Sequence, residues 1–148
     1  MIKIVGVDPG ISTGLVVYDY CEQSGRLHLL HNSTIKDRTL KQVANLIYDF
    51  SHNCHYFVLE DFIIRKGLAV GLAQNDPRGF TLRLIGALEV LIEPEILNLQ
   101  LPHAQSKDVK RITKELGYSI ENSDSHQRSA NAHVVYFILH NGWELNKK

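Results

Sequence analysis

The stretch IKIVGVDPGISTGLVVY, residues 2–18, decides the fold of this chain. Apolar and mostly β-branched residues stand on both sides of Asp8-Pro9-Gly10, which predicts two strands joined by a tight turn. Asp8 ends the first strand, and Gly10 and Gly14 keep side chains away from it. A buried carboxylate is costly unless it is paired or bound to a cation. The stretch therefore predicts either a functional acid or an Asp that opens the turn and bonds its own backbone.

A second acid follows a second apolar strand. Arg26–Ser33 alternates enough to be a third strand, so that three consecutive antiparallel strands precede a helix over residues 36–50, with Asp37 or Thr39 as its cap. His55–Leu59 then reads as a short buried strand that ends in Glu60. If this strand is parallel to the first, Glu60 and Asp8 approach each other, and two like charges that close need a cation. The alternative is that Glu60 merely starts a solvated loop.

The rest of the chain alternates helices with one more strand. The predicted elements are a flexible basic loop over Phe62–Arg78, a helix over Gly79–Glu93 ended by Pro94, a strand over Ile96–Leu101, a helix over Ser106–Leu116 and a helix over Ser125–Asn141. No repeat, linker or low-complexity tract divides the chain. We expect a single α/β domain over residues 1–148, with a mixed central sheet flanked by helices.

Composition limits the classes of function. The chain has 148 residues, 44% of them hydrophobic and 22% charged, with a formal net charge of zero. This is typical of a globular domain and gives no overall argument for a nucleic-acid partner. Cys21 and Cys54 match no metal spacing, and no apolar run reaches the length of a membrane span, so we expect a soluble cytoplasmic protein with reduced thiols. Basic residues do cluster locally and are candidates for DNA contacts: Arg65, Lys66, Arg78, Arg83, Lys107, Lys110 and Arg111.

The start of the last helix completes a candidate metal site. Its first turns carry Asp124, His126 and Ser129, which we expect near Asp8 and Glu60. Oxygen ligands with one imidazole favour Mg²⁺ or Mn²⁺, and carboxylates that hold two such ions are a known solution for phosphodiester hydrolysis.

Two histidines and a lysine complete the residue-based expectations. For His126, ligation and ordinary packing are equally open. His133 is expected to be a packed or hydrogen-bonded histidine. Lys107 is the candidate to stabilise charge that develops on a reacting phosphate.

Several of these segments together resemble a known family. Residues 6–10, Gly-Val-Asp-Pro-Gly, with Thr13-Gly14 resemble the first motif of the RuvC-type Holliday junction resolvases, which belong to the RNase H-like superfamily. Val58-Leu59-Glu60 is similar to their second motif, and residues 83–89 resemble the central helix of bacteriophage members. Leu101-Pro102 followed by Lys107 is similar to their lysine-bearing segment, and residues 126–130 with His133 resemble the last motif. The resemblance covers nearly the whole chain.

The resemblance implies a site and an activity. It implies Asp8, Glu60 and His126 as metal ligands and Lys107 as a phosphate or transition-state contact. It also implies an Asp as the last ligand at position 129, where this chain has Ser129. Asn131 is the candidate if the register shifts by two residues, and Asp124 is the candidate substitute. An impaired or deliberately inactivated site is the remaining alternative.

The resemblance further implies an assembly and a substrate. It implies a homodimer, joined through the helix over residues 79–93, that cuts two opposed strands of a four-way DNA junction with two Mg²⁺ ions per site. No small-molecule cofactor and no membrane partner is implied.

Three alternatives remain open at the level of sequence. The first is an RNase H-like nuclease that acts on flaps, forks or hybrids. The second is a junction-binding module that has lost a metal ligand, which Ser129 favours. The third, a fragment of the actin-like ATPase fold, is disfavoured because the chain is too short for a second lobe and lacks a nucleotide loop.

Overall fold

The computed structural model of the protein describes residues 1–62 and 76–148. The predicted basic loop, with Arg65 and Lys66, therefore falls largely outside the described residues. The strands are β1 (Ile2–Asp8), β2 (Thr13–Cys21), β3 (Arg26–Ile35), β4 (Tyr56–Glu60) and β5 (Leu97–Gln100). The helices are α1 (Leu40–Ser51), α2 (Pro77–Leu91), α3 (Lys107–Glu115) and α4 (Ser125–His140), and a 3-10 helix covers Pro102–Gln105.

The five strands form one mixed sheet in the order β3-β2-β1-β4-β5. β1 pairs antiparallel with β2, and β2 pairs antiparallel with β3. On the other side β1 pairs parallel with β4, and β4 pairs parallel with β5. This confirms the predicted sheet of three antiparallel strands followed by two parallel ones. β1 is central because strands cover both of its edges.

Helices cover both faces of the sheet. Ile4, Val16 and Val58 point to the face covered by α4, where they join one buried cluster. Val5 and Val7 point to the opposite face, where they pack against residues of α1 and α2. Both faces of the central strands are therefore buried, which explains why these strands are almost continuously apolar. No helix in residues 1–62 and 76–148 is long and apolar enough to cross a membrane.

Element boundaries differ from the sequence predictions at a few ends. β3 continues two residues beyond Ser33, to Ile35. Thr39 caps α1 through a capping box. α2 begins at Pro77, with Asp76 as its cap, and ends at Leu91 rather than Glu93. A residue that precedes proline is driven out of the helical conformation, so Pro94 ends this helix earlier than its own position suggests.

Two glycines let α4 lie directly on the sheet. A Cβ atom added at Gly6 would lie 2.5 Å from Cγ2 of Val134 and 2.9 Å from the carbonyl oxygen of Ala130. A Cβ added at Gly14 would overlap the backbone carbonyl of His126. The start of α4 therefore rests against β2 at Gly14, and its middle rests against β1 at Gly6. These contacts fix the position of the first turns of α4 relative to the end of β1.

We expect Gly14→Ala to destabilise the protein by about 1–3 kcal/mol, because the added methyl group meets backbone atoms that cannot rotate away. Gly79→Ala is the matched control, since nothing lies within 4 Å of a Cβ atom at that helical position. The measurement is chemical denaturation of both variants. Equal stability of the two variants would contradict the close approach of α4 to β2.

Candidate metal centre

Asp8 and Glu60 meet because two parallel strands end side by side. Val7 pairs with Leu59 in the β1–β4 register, so the next residue on each strand lies at the same edge of the sheet. The two carboxyl side chains are hydrogen-bonded to each other, and they are only 18% and 16% exposed. This confirms the predicted convergence of the two acids. Like charges in partly buried surroundings repel strongly unless a proton or a cation lies between them.

The first turn of α4 brings an imidazole to the same place. Asp124 caps the helix by accepting hydrogen bonds from the backbone N–H groups of His126 and Gln127, at 3.0 and 2.9 Å. Its second oxygen accepts from Oγ1 of Thr34 at 2.5 Å. His126 Nδ1 lies 3.6 Å from Oδ2 of Asp8. His126 therefore stands beside Asp8, whereas both carboxylate oxygens of Asp124 already accept hydrogen bonds from the protein.

One oxygen of Glu60 is held by three side chains. Oε2 of Glu60 lies 2.8 Å from Nε2 of Gln105, 3.2 Å from Oγ of Ser129 and 3.0 Å from Nε2 of His133. His133 is fully buried, and its Nδ1 lies 2.8 Å from Oε1 of Gln100. These contacts fix the carboxylate and leave Oε1 as the atom that can face Asp8 or a cation.

The sequence predicted part of this arrangement. His133 was expected to be a packed or hydrogen-bonded histidine, which the structure confirms, but its contact with Glu60 was not foreseen. Gln100 and Gln105 were missed altogether. Gln100 pairs with Glu60 in the β4–β5 register, so the end of β5 was the available signal. Gln105 lies in a short 3-10 helix, and no comparable sequence pattern indicates such a helix.

The two acids have opposite pKa shifts. Burial is the largest cause and the neighbouring charge of Glu60 the second, and together with smaller effects they raise the pKa of Asp8 to about 8. Burial also acts to raise the pKa of Glu60, but the hydrogen bond and the charge of His133 outweigh it and hold that pKa below its usual value. Asp8 therefore carries the shared proton at neutral pH when no cation is present. A divalent cation would replace that proton.

Asn131 lies apart from the acids. Its Oδ1 accepts a hydrogen bond from the hydroxyl of Tyr18 at 2.7 Å, and its Nδ2 donates to the carbonyl of Tyr118 at 2.9 Å. The side chain is buried and both of its ends are satisfied. The register-shifted alternative for the last ligand therefore has no support in the structure. Ser129 is the residue that reaches Glu60.

The basic residues predicted to contact DNA differ in whether they form ion pairs within the protein. Arg111 pairs with Asp108 and Glu115 on its own helix, and Arg78 pairs with Asp76. Lys107 and Lys110 are exposed on α3, and Arg83 is exposed on α2. The charges of Arg111 and Arg78 are thus already balanced locally, whereas within the described residues no ion pair involves Lys107 or Lys110.

The donor set fits a divalent cation in part. Two carboxyl groups in contact cannot both be ionised without strong repulsion, and here one of them is protonated. A hard divalent cation between them would remove that repulsion. Among residues 1–62 and 76–148, however, no three His, Cys, Asp or Glu side chains form a ready metal site. Asp8, Oε1 of Glu60 and Nδ1 of His126 are the atoms that would hold Mg²⁺. Water and substrate oxygens would complete its shell, as is usual for this ion.

Comparison with known proteins identifies structures that have a similar fold. No family model matches the chain, and no curated protein sequence matches it. Its structure is similar to RuvC of Thermus thermophilus, with a TM-score of 0.64 and 17% identity over 96% of this chain and 98% of that one. It is also similar to the fowlpox virus Holliday junction resolvase, with a TM-score of 0.55 and 13% identity over 94% and 97% of the two chains. The yeast mitochondrial Holliday junction resolvase Ydc2 gives a TM-score of 0.57 and 14% identity over 93% and 78%.

These likenesses establish the fold. The chain shares the fold of these Holliday junction resolvases, which is the fold that the resemblance of its motifs implied.

The shifted acid predicts a pH-dependent stability. Between the ordinary pKa of an Asp and about 8, native Asp8 binds a proton that the unfolded chain does not, so stability falls as pH rises through this range. Asp8→Asn removes this loss, and we expect it to gain about 1–3 kcal/mol over the parent protein between pH 5 and pH 8 in EDTA. Denaturation at several pH values measures the difference.

The control is Asp49→Asn, which changes an exposed carboxylate on α1. We expect this variant to keep the loss of stability that the parent protein shows as pH rises from 5 to 8, because Asp8 is unchanged in it. A parallel pH profile for Asp8→Asn and the parent protein would show that Asp8 is not proton-bound in the metal-free state.

Proposed function

We propose that the chain is a divalent-cation-dependent endonuclease that resolves four-way DNA junctions by phosphodiester hydrolysis. The observation that carries the proposal is the contact between Asp8 and Glu60 at the ends of adjacent parallel strands. A hard cation that replaces the shared proton is the simplest reason for a fold to keep this contact. The expectation of two ions per site stays a prediction.

Each residue of the site has a defined task under this proposal. Asp8 and Oε1 of Glu60 hold the cation, with Nδ1 of His126 beside them. Gln105, Ser129 and His133 keep Glu60 in one rotamer by binding its other oxygen. Mg²⁺ held by these residues would supply a water of lowered pKa and would stabilise charge on the reacting phosphate. Lys107, on the first turn of α3, is the proposed contact with the phosphate backbone.

Branched DNA is the substrate that the comparisons favour. Further structures of Thermus thermophilus RuvC and of the fowlpox virus resolvase, also similar to this chain, are complexes with Holliday junction DNA. The chain has a net charge of zero, which gives no overall attraction to DNA. The exposed lysines of α3 are the local positive charges that would contact phosphates.

A dimer is proposed for the same reason, because two strands of a junction must be cut. The exposed side of α2 offers a surface for a second copy. Val90 is 86% exposed, and an apolar groove between α1 and α2 runs past Gly86, Ala87 and Leu40. Sedimentation equilibrium that gives the mass of one chain at micromolar concentration would contradict this assembly.

A junction-binding module without catalysis is the second candidate. Ser129 favours it, because the hydroxyl donates a hydrogen bond to Glu60 where the resemblance implies a carboxylate. The same fold and the same DNA contacts would then serve binding alone. Ser129→Asp separates the two candidates, since a third carboxylate gives the cation the ligand that this chain lacks.

The test is cleavage of a labelled substrate panel in Mg²⁺: a four-way junction, a flap, a fork, an RNA–DNA hybrid and a linear duplex. We expect cuts in opposed strands of the junction and little cutting of the duplex. Asp8→Asn is expected to lower the rate by at least about 100-fold while junction binding persists, because it removes a cation ligand and no phosphate contact.

Other outcomes identify the alternatives. Preference for a flap or a hybrid would replace the junction by that substrate. Junction binding without cleavage, together with cleavage by Ser129→Asp, would identify a binding module. Mg²⁺-independent cutting, or unchanged cutting by Asp8→Asn, would overturn the proposed site.

A further inference from the structure

A basic groove between α3 and α4 lies next to the candidate metal centre. We propose that this groove binds the phosphate adjacent to the scissile one, on the DNA strand that is cut. The inference rests on the proposed function and extends it, because it assigns the path of that strand across the protein. The groove is defined by Gln105, Lys110, Lys114, Ser119, Arg128 and Ser129.

The shape and charge of the groove fit a phosphodiester. Its volume is about 380 Å³, which accommodates a phosphate with parts of its two sugars. Three cationic side chains line it, at Lys110, Lys114 and Arg128, and no described residue of its lining is an Asp or a Glu. The hydroxyl groups of Ser119 and Ser125 add neutral donors. A groove with this lining attracts anions such as a phosphodiester and repels cationic ligands.

The basic residues of α3 differ in position: Arg111 forms ion pairs outside the groove, whereas Lys110 and Lys114 line the groove. Arg111 lies within 3.8 Å of Asp108 and 3.1 Å of Glu115, so its charge is balanced on the outer side of the helix. Lys110 and Lys114 line the groove, and within the part of the chain that is described neither forms an ion pair with an acid. The acids of α3 thus neutralise the arginine and leave the groove lysines available.

The groove is continuous with the metal centre. Gln105 and Ser129 belong to its lining, and both contact Oε2 of Glu60. The groove that the lysines line therefore also includes two residues that hold the carboxylate of Glu60. A strand whose reacting phosphate lies at Asp8 and Glu60 passes its neighbouring phosphate into the groove.

The test is the salt dependence of binding to a labelled four-way junction in EDTA, where no cutting occurs. The plot of log K against log salt concentration has a negative slope, and each lost phosphate contact reduces the magnitude of this slope by roughly 0.7–0.9. We expect this decrease for Lys114→Gln and for Lys110→Gln, with several-fold weaker binding at moderate salt. Arg111→Gln is the matched control, because it removes one positive charge from the same exposed helix, outside the groove. We expect its slope to match that of the parent protein.

The outcomes separate this inference from the proposed function. Equal slopes for Lys114→Gln, Lys110→Gln and Arg111→Gln, with tight junction binding by the parent protein, would overturn the groove and leave the nuclease proposal intact. Failure of the parent protein to bind the junction even at low salt would overturn both. Circular dichroism of the variants establishes that they are folded.

Discussion

Two carboxylates of like charge, held in contact at the edge of a buried sheet, are the constraint on which the rest of the structure depends. The parallel pairing of β1 with β4 brings Asp8 and Glu60 together. The pKa of Asp8 is raised to about 8, with burial as the larger cause and the charge of Glu60 as the second. A fold gains no stability from such an arrangement in the absence of a cation, so the arrangement points to function rather than to packing.

The surroundings of the pair act to preserve it. Gly6 and Gly14 admit α4 so closely that its first turns reach Asp8 and Glu60 from above the sheet. His126 then lies beside one acid, and Ser129 and His133 contact the other. Backbone contacts, helix capping and side-chain hydrogen bonds together therefore hold Asp8 and Glu60 in place. The fold that carries these contacts is similar to that of RuvC of Thermus thermophilus, although the two sequences are only 17% identical.

Much of this could be predicted from the sequence, for identifiable physical reasons. An apolar run that ends in Asp8, and another that ends in Glu60, predicted both strands, because side-chain pattern is a local property. The meeting of the two acids followed only on the condition that the two strands pair in parallel, as they do. The contacts of Asn131 could not be predicted, since its partner Tyr18 lies on β2, 113 positions earlier. Gln105 was missed for the same reason: only the completed fold places it against Glu60. The sequence therefore predicted which residues carry the acids, whereas the hydrogen bonds that hold them depend on the tertiary structure.

The most direct measurement is a crystal structure of the protein soaked in Mn²⁺, with the metal located by anomalous scattering. The account predicts Mn²⁺ bound by Asp8 and Oε1 of Glu60, with Oε2 still held by Gln105, Ser129 and His133. The same soak of Asp8→Asn is expected to show much weaker metal density. A crystal at saturating Mn²⁺ with no anomalous peak between Asp8 and Glu60, or with a peak elsewhere on the chain alone, would contradict the account.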